Sequence, residues 1–251
     1  MSGHSHARTI KHKKDAADAA RSSVFSKMAR EITVAVRDGG GDPVTNTQLR
    51  AVLERARSFN MPSANIDRAI ARATGGEDAR NLQGVLFEAY GPGDIALLIS
   101  GITDNKNRTV SELKQILNRF GGKLVEGGAV QWMFEHKGVI TINPKSDLPA
   151  GQAGIRNPKQ KEEMELKAIE SGADDMYWGD EETLEVYTKP AELERVKTKL
   201  QEQELAVESS ALEWVPKENV EIAPDAKEAA EKLFEALDAH DDVQNIYSNL
   251  K

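Results

Sequence analysis

The chain has 251 residues, no cysteine and a formal net charge of −8. Its length suits about two or three small domains with cores of their own, and the lack of cysteine excludes a disulfide framework and thiolate chemistry. No apolar run approaches a membrane span and the N-terminal residues are polar, so we expect a cytoplasmic protein without a secretory signal or a membrane anchor.

The charge is distributed unevenly along the chain. Residues 1–75 hold 13 Lys and Arg against 7 Asp and Glu, whereas the remaining residues are strongly acidic. A basic segment on an acidic body indicates a polyanionic partner for one end only.

The first residues combine histidines with cations. Residues 2–14 read SGHSHARTIKHKK and hold three of the five histidines. We expect a mobile arm that orders on nucleic acid; the alternative is an ordinary charged terminus. A metal site built from His4, His6 and His12 is disfavoured, because no carboxylate or cysteine accompanies them.

Three amphipathic helices are predicted between residues 15 and 75. The first ends at Gly39-Gly40-Gly41, and the third begins at Pro62-Ser63 and ends at Gly75-Gly76. Their inward residues are Val24, Phe25, Met28, Ile32 and Val36, then Leu49, Val52, Leu53 and Ala56, then Ile66, Ala69, Ile70 and Ala73. Together these faces can bury the core of a small helical bundle.

Opposite the apolar faces, each helix carries cations at helical spacing. They are Lys27, Arg30 and Arg37, then Arg50 and Arg57, then Arg68 and Arg72. Such a stripe is usually the solvated face of an amphipathic helix. Because this one is almost purely cationic, a phosphate-binding surface is an equally good interpretation.

A hairpin and a polar loop follow a polar linker over residues 77–82. Residues 85–90 and 95–100 are predicted strands, the second buried on both faces. Asn105, Lys106 and Arg108 lie in the loop, and Thr109 and Glu112 have the spacing of a capping box that opens a helix. A helix N-terminus flanked by cations suits a phosphate; the alternative is a capping loop with solvated charges.

Alternating elements are predicted for the rest of the chain. A helix with Val110, Leu113 and Leu117 inward stops at residues 121–122, and strands follow at 129–134 and 139–142. After a flexible loop at 143–158 come a helix at 159–171, a strand at 184–186, a helix from Pro190 and a strand at 205–212. A helix from Pro224 and a strand at 243–248 end the pattern.

These elements predict an α+β multi-domain protein. A helical N-terminal domain at 1–76 precedes a discontinuous α+β domain at 82–134 and 214–251, and an α+β domain resembling the ferredoxin-like fold is inserted at 135–213. We infer the insertion because the final helix and strand are the elements that the first α+β unit lacks.

The sequence contains no recognised catalytic motif. A P-loop, a dinucleotide glycine fingerprint, H-E-x-x-H and a nucleophile elbow are all missing. The acidic pairs at 174–175, 181–182 and 241–242 have oxygen ligands that suit a hard cation, but such pairs are more often solvated turns. We therefore expect neither an enzyme nor a cofactor, with a metal-dependent nuclease and a pure protein-interaction module as rivals.

Several longer motifs resemble one known family. They are Gly3-His4-Ser5, Ile10-Lys11-His12-Lys13-Lys14, Phe25-Ser26-Lys27, Arg30-Glu31-Ile32, Gly39-Gly40-Gly41-Asp42-Pro43, Asn60-Met61-Pro62, Asn65-Ile66, Arg68-Ala69-Ile70, Tyr90-Gly91-Pro92-Gly93, Thr103-Asp104-Asn105, Asn107-Arg108-Thr109, and Asp241-Asp242-Val243-Gln244 with Tyr247. This set runs nearly end to end and is similar to the signature of the YebC/PmpR family.

The resemblance implies three domains around a concave surface, with the third inserted in the second. It also implies a cytoplasmic non-enzyme that binds nucleic acid to regulate gene expression, described in the family as a probable transcriptional regulator binding promoter DNA. Other members resemble ribosome-associated factors that help translation through difficult stretches such as proline runs, so a ribosome or rRNA partner is the alternative.

The chain departs from the family pattern in its basic N-terminal part. His6-Ala7 stands where the family has Lys-Trp, and Arg21-Ser22-Ser23 where it has a run of Lys/Arg-Gly-Lys. The arm is therefore less basic and lacks an aromatic residue for base stacking.

The candidate nucleic-acid contacts lie in the arm, on the helices and in the loop. They are His4, Lys11, His12, Lys13, Lys14, Lys27, Arg30, Arg37, Arg50, Arg57, Arg68, Arg72, Asn105, Lys106 and Arg108. No helix-turn-helix recognition helix is evident, so we expect phosphate and shape recognition of DNA or structured RNA. No membrane partner is expected, and a monomer is slightly favoured.

Overall fold

The computed structural model describes residues 18–75, 81–143, 158–179 and 183–251. Its main helices are α1 (Asp18–Gly39), α2 (Thr47–Ser58), α3 (Ser63–Gly75), α4 (Lys106–Arg119), α5 (Pro158–Ser171), α6 (Leu193–Glu202) and α7 (Pro224–Asp238). Its strands are β1 (Gln83–Tyr90), β2 (Ala96–Thr103), β3 (Lys123–Val125), β4 (Phe134–Ile142), β5 (Asp175–Trp178), β6 (Leu184–Thr188), β7 (Val207–Pro216) and β8 (Val243–Ser248). This order confirms the predicted α+β class.

The helical domain packs α1, α2 and α3 around the apolar positions that the spacing predicts. Ile32, Leu49 and Ala56 are fully buried, and Phe25 and Ile70 pack at the edge of the same core. The Asn46 side chain organises the α1–α2 connection, because its oxygen accepts from Leu49 N at 3.0 Å and its nitrogen donates to the carbonyls of Ala35 and Gly40. An Asn at this position is a strong helix cap.

The first sheet has the order β3-β1-β2-β8, and its described pairs are antiparallel. The apolar strand β2 is central, as predicted, with Leu97, Leu98 and Ile99 fully buried. Helices α4 and α7 contribute Leu113 and Leu233 to its core. Strand β8 therefore pairs with a strand that lies about 145 residues earlier in the chain.

The second sheet has the antiparallel order β5-β6-β4-β7. Its core joins β4 and β6 to α6 through Ile140, Val186 and Val196, all fully buried. The order strand, helix, two strands, helix, strand, with β4 and β6 in the middle, is the ferredoxin-like arrangement expected for the inserted segment. All four strands of this sheet lie in the chain between β3 and β8.

Two compact units are separated along the chain: residues 133–219 form one, and the helical domain with the first sheet, up to residue 132 and again from residue 220, forms the other. Strands β4 and β7 pair along their whole length. The inserted segment is therefore a few residues longer at each end than the predicted 135–213. Among the described residues, no helix is long and apolar enough to cross a membrane.

The prediction of a strand at 129–134 is wrong, because a buried carboxylate accepts hydrogen bonds from the backbone amides at the start of this segment. Glu88 of β1 is 5% exposed, and its oxygens accept from the amides of Gly128, Val130 and Gln131 at 2.5, 2.7 and 2.9 Å. Burial favours a raised pKa for Glu88, but these hydrogen bonds outweigh it and lower the pKa. The segment turns, and β4 begins only at Phe134 and continues through the predicted strand at 139–142.

The hydrophobic periodicity of the sequence did not predict the short strands β3 and β5. They have three and four residues, which is too few to show an alternating pattern. Three further predictions lie wholly or mostly outside the described residues. They are the linker at 77–82, the loop at 143–158 and the acidic pair at 181–182.

Candidate nucleic-acid interface

All three predicted phosphate contacts on α1 already have protein partners, and Lys27 is the most buried of them. Lys27 is only 8% exposed, and its Nζ donates to the carboxylate of Asp238 at 2.8 Å and to the carbonyl of the same residue at 2.5 Å. The expectation that Lys27 lies on the solvated face of the helix is therefore wrong. The ion pair between Lys27 and Asp238 holds α1 against the C-terminal end of α7.

Arg30 and Arg108 meet on one buried carboxylate, that of Asp242. The Asp242 side chain is 2% exposed and pairs with the Arg30 guanidinium and with Arg108 Nη2, the latter at 2.9 Å. The Thr109 hydroxyl lies 2.7 Å from the Asp242 oxygen that Arg108 contacts. We call this group of four residues the Asp242 cluster; it joins α1, α4 and the start of β8.

A glycine in β2 allows Asp242 to reach this position. Gly101 pairs with Val243, and a Cβ added to Gly101 would lie 2.5 Å from the Asp242 carbonyl oxygen. That carbonyl accepts from Ile102 N at 2.8 Å, and the Ile102 carbonyl in turn accepts from Arg30 at 3.1 Å. Close approach of two backbones is a role that glycine serves.

The electrostatics of the Asp242 cluster keep it ionised. Burial by itself would raise the pKa of Asp242, but hydrogen bonds from Arg108, Thr109 and Arg30 hold that pKa well below its usual range. The bond to Asp242 also raises the pKa of Arg108. A buried carboxylate compensated in this way fixes the position of both arginines.

The N-terminus of α4 differs from the predicted capping box. Asn105 is the cap residue, with its oxygen accepting from Arg108 N at 3.1 Å, and α4 begins at Lys106. Thr109 lies inside the helix and uses its hydroxyl in the Asp242 cluster. Asn is a stronger cap than Thr, so the helix starts one turn earlier than the capping-box spacing indicates.

Arg108 and Lys106 both lie in the first turn of α4 but differ in their contacts. Arg108 also pairs with Asp104 at 2.9 Å, whereas Lys106 is exposed. The predicted loop cations are therefore one cation paired with three carboxylates, those of Asp104, Asp242 and, at 3.9 Å, Glu112, and one exposed cation.

The concave surface of the helical domain lies along the seam between α1 and α3. A hollow of about 490 Å³ is lined on one side by one face of α1 and on the other by one face of α3. Its lining residues are Ser22, Phe25, Ser26, Ala29, Arg30, Thr33, Met61, Asn65, Arg68, Ala69, Arg72, Leu82 and Asp241. We call this hollow the α1–α3 groove.

A second hollow of about 290 Å³ adjoins the groove. It is lined by Arg30, Asn81, Leu82, Asp104 and Arg108, so it shares Arg30 and Leu82 with the groove. The cations Arg72, Arg68, Arg30 and Arg108 therefore border one continuous concave surface. Of these, Arg68 and Arg72 are exposed and contact no carboxylate among the described residues.

The remaining predicted contacts are not part of this surface. Arg50 and Arg57 are exposed on α2 but do not line either hollow. Arg37 binds the Asp38 carboxylate at 2.7 Å and the Leu82 carbonyl. His4, Lys11, His12, Lys13 and Lys14 lie outside the described residues.

One group among the described residues has the spacing of metal ligands: Glu112, His240 and Asp242, with one ligand atom of each within 4.8 Å of the others. His240 Nδ1 accepts from Asp242 N at 3.1 Å, so the neutral ring carries its proton on Nε2, which lies 2.9 Å from Glu112. Since Asp242 is also held by two arginines, the three side chains already satisfy one another. The nuclease interpretation of residues 241–242 gains no ligand set here.

The sequence patterns did not show that Asp238 and Asp242 bind the α1 cations, or that Glu88 binds backbone amides. The signals for Asp242 were its place in an acidic pair before an apolar strand and in the motif Asp241-Asp242-Val243-Gln244, and neither names its partners. Its arginine partners are separated from it by 212 and 134 residues along the chain.

Comparison with family models extends over nearly the whole chain. Residues 5–76 match the model of the TACO1/YebC protein N-terminal domain, and residues 82–250 match the model of the TACO1/YebC second and third domain. The boundary between the two models falls at the connection between the helical domain and the first sheet.

Individual relatives agree with the family models. A protein of Thermotoga maritima named "Probable transcriptional regulatory protein" is 43% identical over 251 residues, which cover all of this chain and 94% of that protein. A protein of Pelotomaculum thermopropionicum with the same name is 41% identical over 99% of this chain and 98% of its own length. The crystal structure of a conserved hypothetical protein from Aquifex aeolicus aligns with a TM-score of 0.82 at 38% identity, covering 96% of this chain and 95% of that chain. The chain therefore belongs to the TACO1/YebC family.

Proposed function

We propose that the protein is a non-enzymatic regulator of gene expression that acts in the cytoplasm by binding nucleic acid in the α1–α3 groove. Arg68 and Arg72 provide the principal phosphate contacts. Arg30 and Arg108 extend the positive potential into the adjoining hollow while they remain paired with Asp242.

The observation that carries this proposal is the contrast in pairing along one concave surface. Arg68 and Arg72 stand one helical turn apart, exposed at the edge of the groove, and neither is bound to a carboxylate among the described residues. Guanidinium groups suit phosphate oxygens because they can donate two parallel hydrogen bonds. A concave site concentrates their field.

The role in gene expression is supported by the relatives, which are named probable transcriptional regulatory proteins. The groove offers phosphate contacts, which position a protein on a nucleic acid but carry no sequence information directly. Recognition through backbone and shape fits structured RNA as well as DNA. A ribosome-associated translation factor is therefore the alternative within the same proposal.

The test is the salt dependence of binding in the double variant R68Q/R72Q. Fluorescence anisotropy with labelled duplex DNA and labelled structured RNA gives the dissociation constant at a series of salt concentrations. Because each duplex phosphate contact contributes about −0.9 to the slope of log K against log salt, we expect the slope to become less negative by up to about 2. Affinity at physiological salt should fall at least about tenfold.

The matched control is R50Q/R57Q, which removes the same charge from the same domain outside the groove. We expect a smaller fall in affinity, of the size that general loss of positive potential produces. Equal losses in the two double variants would replace the groove by a diffuse basic surface, and an unchanged slope in R68Q/R72Q would refute the proposal.

A further inference from the structure

The α1–α3 groove combines cations with apolar and neutral polar groups in a way that a phosphate alone does not require. Its lining includes the half-buried ring of Phe25, the hydroxyls of Ser26 and Thr33, and the amide of Asn65. A site for the backbone phosphates of a duplex would need only its exposed cations. The ring and the hydrogen-bonding side chains call for a ligand that also has a flat apolar face and polar edges.

The width of the seam limits which nucleic acid can enter it. Helices α1 and α3 pack against each other, and packed helices have axes about 8–10 Å apart. In a duplex the bases are paired and stacked, so their faces cannot enter such a seam, whereas an unstacked base can be turned out onto a protein ring. A duplex could contact Arg68 and Arg72 at the rim, but it could not reach the floor of the groove.

A single unpaired nucleotide fits both the size and the chemistry. The volume of about 490 Å³ lies within the range of about 300–1,000 Å³ of small-ligand sites. Unstacked bases are bound by aromatic rings and by hydrogen bonds to their edges. Phe25 offers the ring, and Asn65 has both a donor and an acceptor group for a base edge.

The carboxylate of Asp241 limits which group of a nucleotide can lie beside it in the groove. Asp241 is exposed and lines the groove, at the side where its neighbour Asp242 holds Arg30. A carboxylate repels a phosphate but accepts a hydrogen bond from a ribose hydroxyl, as acidic residues do in dinucleotide sites. The 2′-hydroxyl is also the group by which a protein distinguishes RNA from DNA.

We infer that the α1–α3 groove binds one unpaired nucleotide of an RNA strand. Its base stacks on Phe25, its flanking phosphates bind Arg68 and Arg72, and its ribose 2′-hydroxyl donates to Asp241. This inference rests on the proposed function, because it names the ligand of the same groove. Under this inference, a duplex contacts only the rim of the groove.

The experiment compares three labelled probes on the full-length protein: a short oligouridine RNA, the oligodeoxyuridine of the same length and a duplex DNA of that length. The first two differ only in the 2′-hydroxyl. We expect RNA to bind most tightly and the duplex least tightly. D241A removes the acceptor for the 2′-hydroxyl and should therefore bring the affinities of the two single strands within about twofold of each other.

The ring of Phe25 is tested by a pair of variants. F25L keeps an apolar side chain at the edge of the helical core and should weaken binding of both single strands about tenfold, the size of one lost stacking contact, with little effect on the duplex. F25Y keeps the ring and should bind single strands as the parent does. Thermal unfolding of each variant shows whether the fold is retained, and D241A tests the site even if F25L does not fold.

The outcomes separate this inference from the proposed function. If R68Q/R72Q weakens all three probes while the duplex binds as tightly as the RNA and F25L binds normally, the unpaired-nucleotide site is wrong and the phosphate surface remains. If R68Q/R72Q leaves all three probes unaffected, both are wrong. RNA and DNA single strands that bind equally to the parent protein would overturn the role of Asp241.

Discussion

The cations of α1 and of α3 differ in their partners, although Arg30 of α1 lines the same groove as Arg68 and Arg72 of α3. On α1, Lys27 is buried against Asp238 and Arg30 is bound to Asp242. On α3, Arg68 and Arg72 are exposed and contact no carboxylate among the described residues. In the sequence the two sets look alike, because each consists of cations at helical spacing opposite an apolar face.

The difference shows that pairing, and not spacing, decides what a basic helix face does. Lys27 and Arg30 of α1 each have a carboxylate from the far end of the chain within hydrogen-bonding distance, so their charges stabilise the junction of the helical domain with the first sheet. Within the part of the chain that the structure describes, the α3 cations have no such neighbour and remain available to a ligand. Variants of the two sets should therefore separate stability from binding, and they are ordered below by the expected loss of stability.

The largest loss is expected for D242N. The change leaves the guanidinium groups of Arg30 and Arg108 without their shared carboxylate. Removing one partner of a buried ion pair costs about 3–5 kcal/mol, and since Arg30 and Arg108 are 28% and 43% exposed, we expect the lower end, about 3 kcal/mol. Urea denaturation monitored by circular dichroism measures the free energy of unfolding.

The neighbouring variant D241N is the matched control, because Asp241 is exposed. Its free energy of unfolding should stay within about 0.5 kcal/mol of the parent value. Equal stability of D242N and the parent would show that the Asp242 cluster does not hold the helical domain to the sheet.

The pH dependence of the same difference follows from the lowered pKa of Asp242. A carboxylate with a lower pKa in the folded state stabilises the fold fully above its unfolded pKa of about 3.9, and this contribution is lost as the pH falls toward the folded value. The stability difference between the parent and D242N should therefore be constant from about pH 5 to 7 and shrink below about pH 4. A difference that already shrinks between pH 7 and 5 would contradict this assignment.

A smaller loss is expected for K27M. Methionine keeps most of the volume of the buried stem but removes the bonds to Asp238, whose side chain is 34% exposed and can be hydrated instead. We expect a loss of about 1 kcal/mol in the free energy of unfolding and no change in the salt dependence of nucleic-acid binding. A flatter salt slope in K27M would place Lys27 on the phosphate surface after all.

The smallest loss is expected for R68Q/R72Q. Both side chains are exposed, so the free energy of unfolding should change by less than about 0.5 kcal/mol, although the same variant should show the largest loss of nucleic-acid binding. Thermal unfolding of the purified variant beside its binding isotherm tests both statements. A substantial drop in stability would mean that α3 uses its cations as α1 does.

Much of the fold could be predicted because it follows from local patterns. The apolar faces of α1, α2 and α3 and the buried strand β2 occur where the periodicity indicates, and β8 has the predicted bounds of Val243–Ser248. The predictions of individual elements failed where a side chain bound backbone amides in a way that the hydrophobic pattern does not encode. Glu88 captured the backbone amides of residues 128–131, and Asn105 took the cap that the spacing indicated for Thr109.

The candidate site was predictable only as a set of residues. The composition identified the basic helical segment, and the spacing identified Arg68 and Arg72 among its exposed cations. The spacing could not show that Lys27 would be buried, because that depends on Asp238, which lies 211 residues away. The groove itself could not be found from the sequence, since it exists only where α1 and α3 pack together beside Leu82 and Asp241.

The sequence by itself determined the helices, the central strands and the placement of positive charge in the first third of the chain, because periodicity and composition are local properties. Only the tertiary structure decided which cations are neutralised. The pairing of β8 with β2, permitted by Gly101, brings Asp242 to Arg30 and Arg108. Ion pairs depend on distances of a few ångströms between side chains, and such distances are set when remote segments pack.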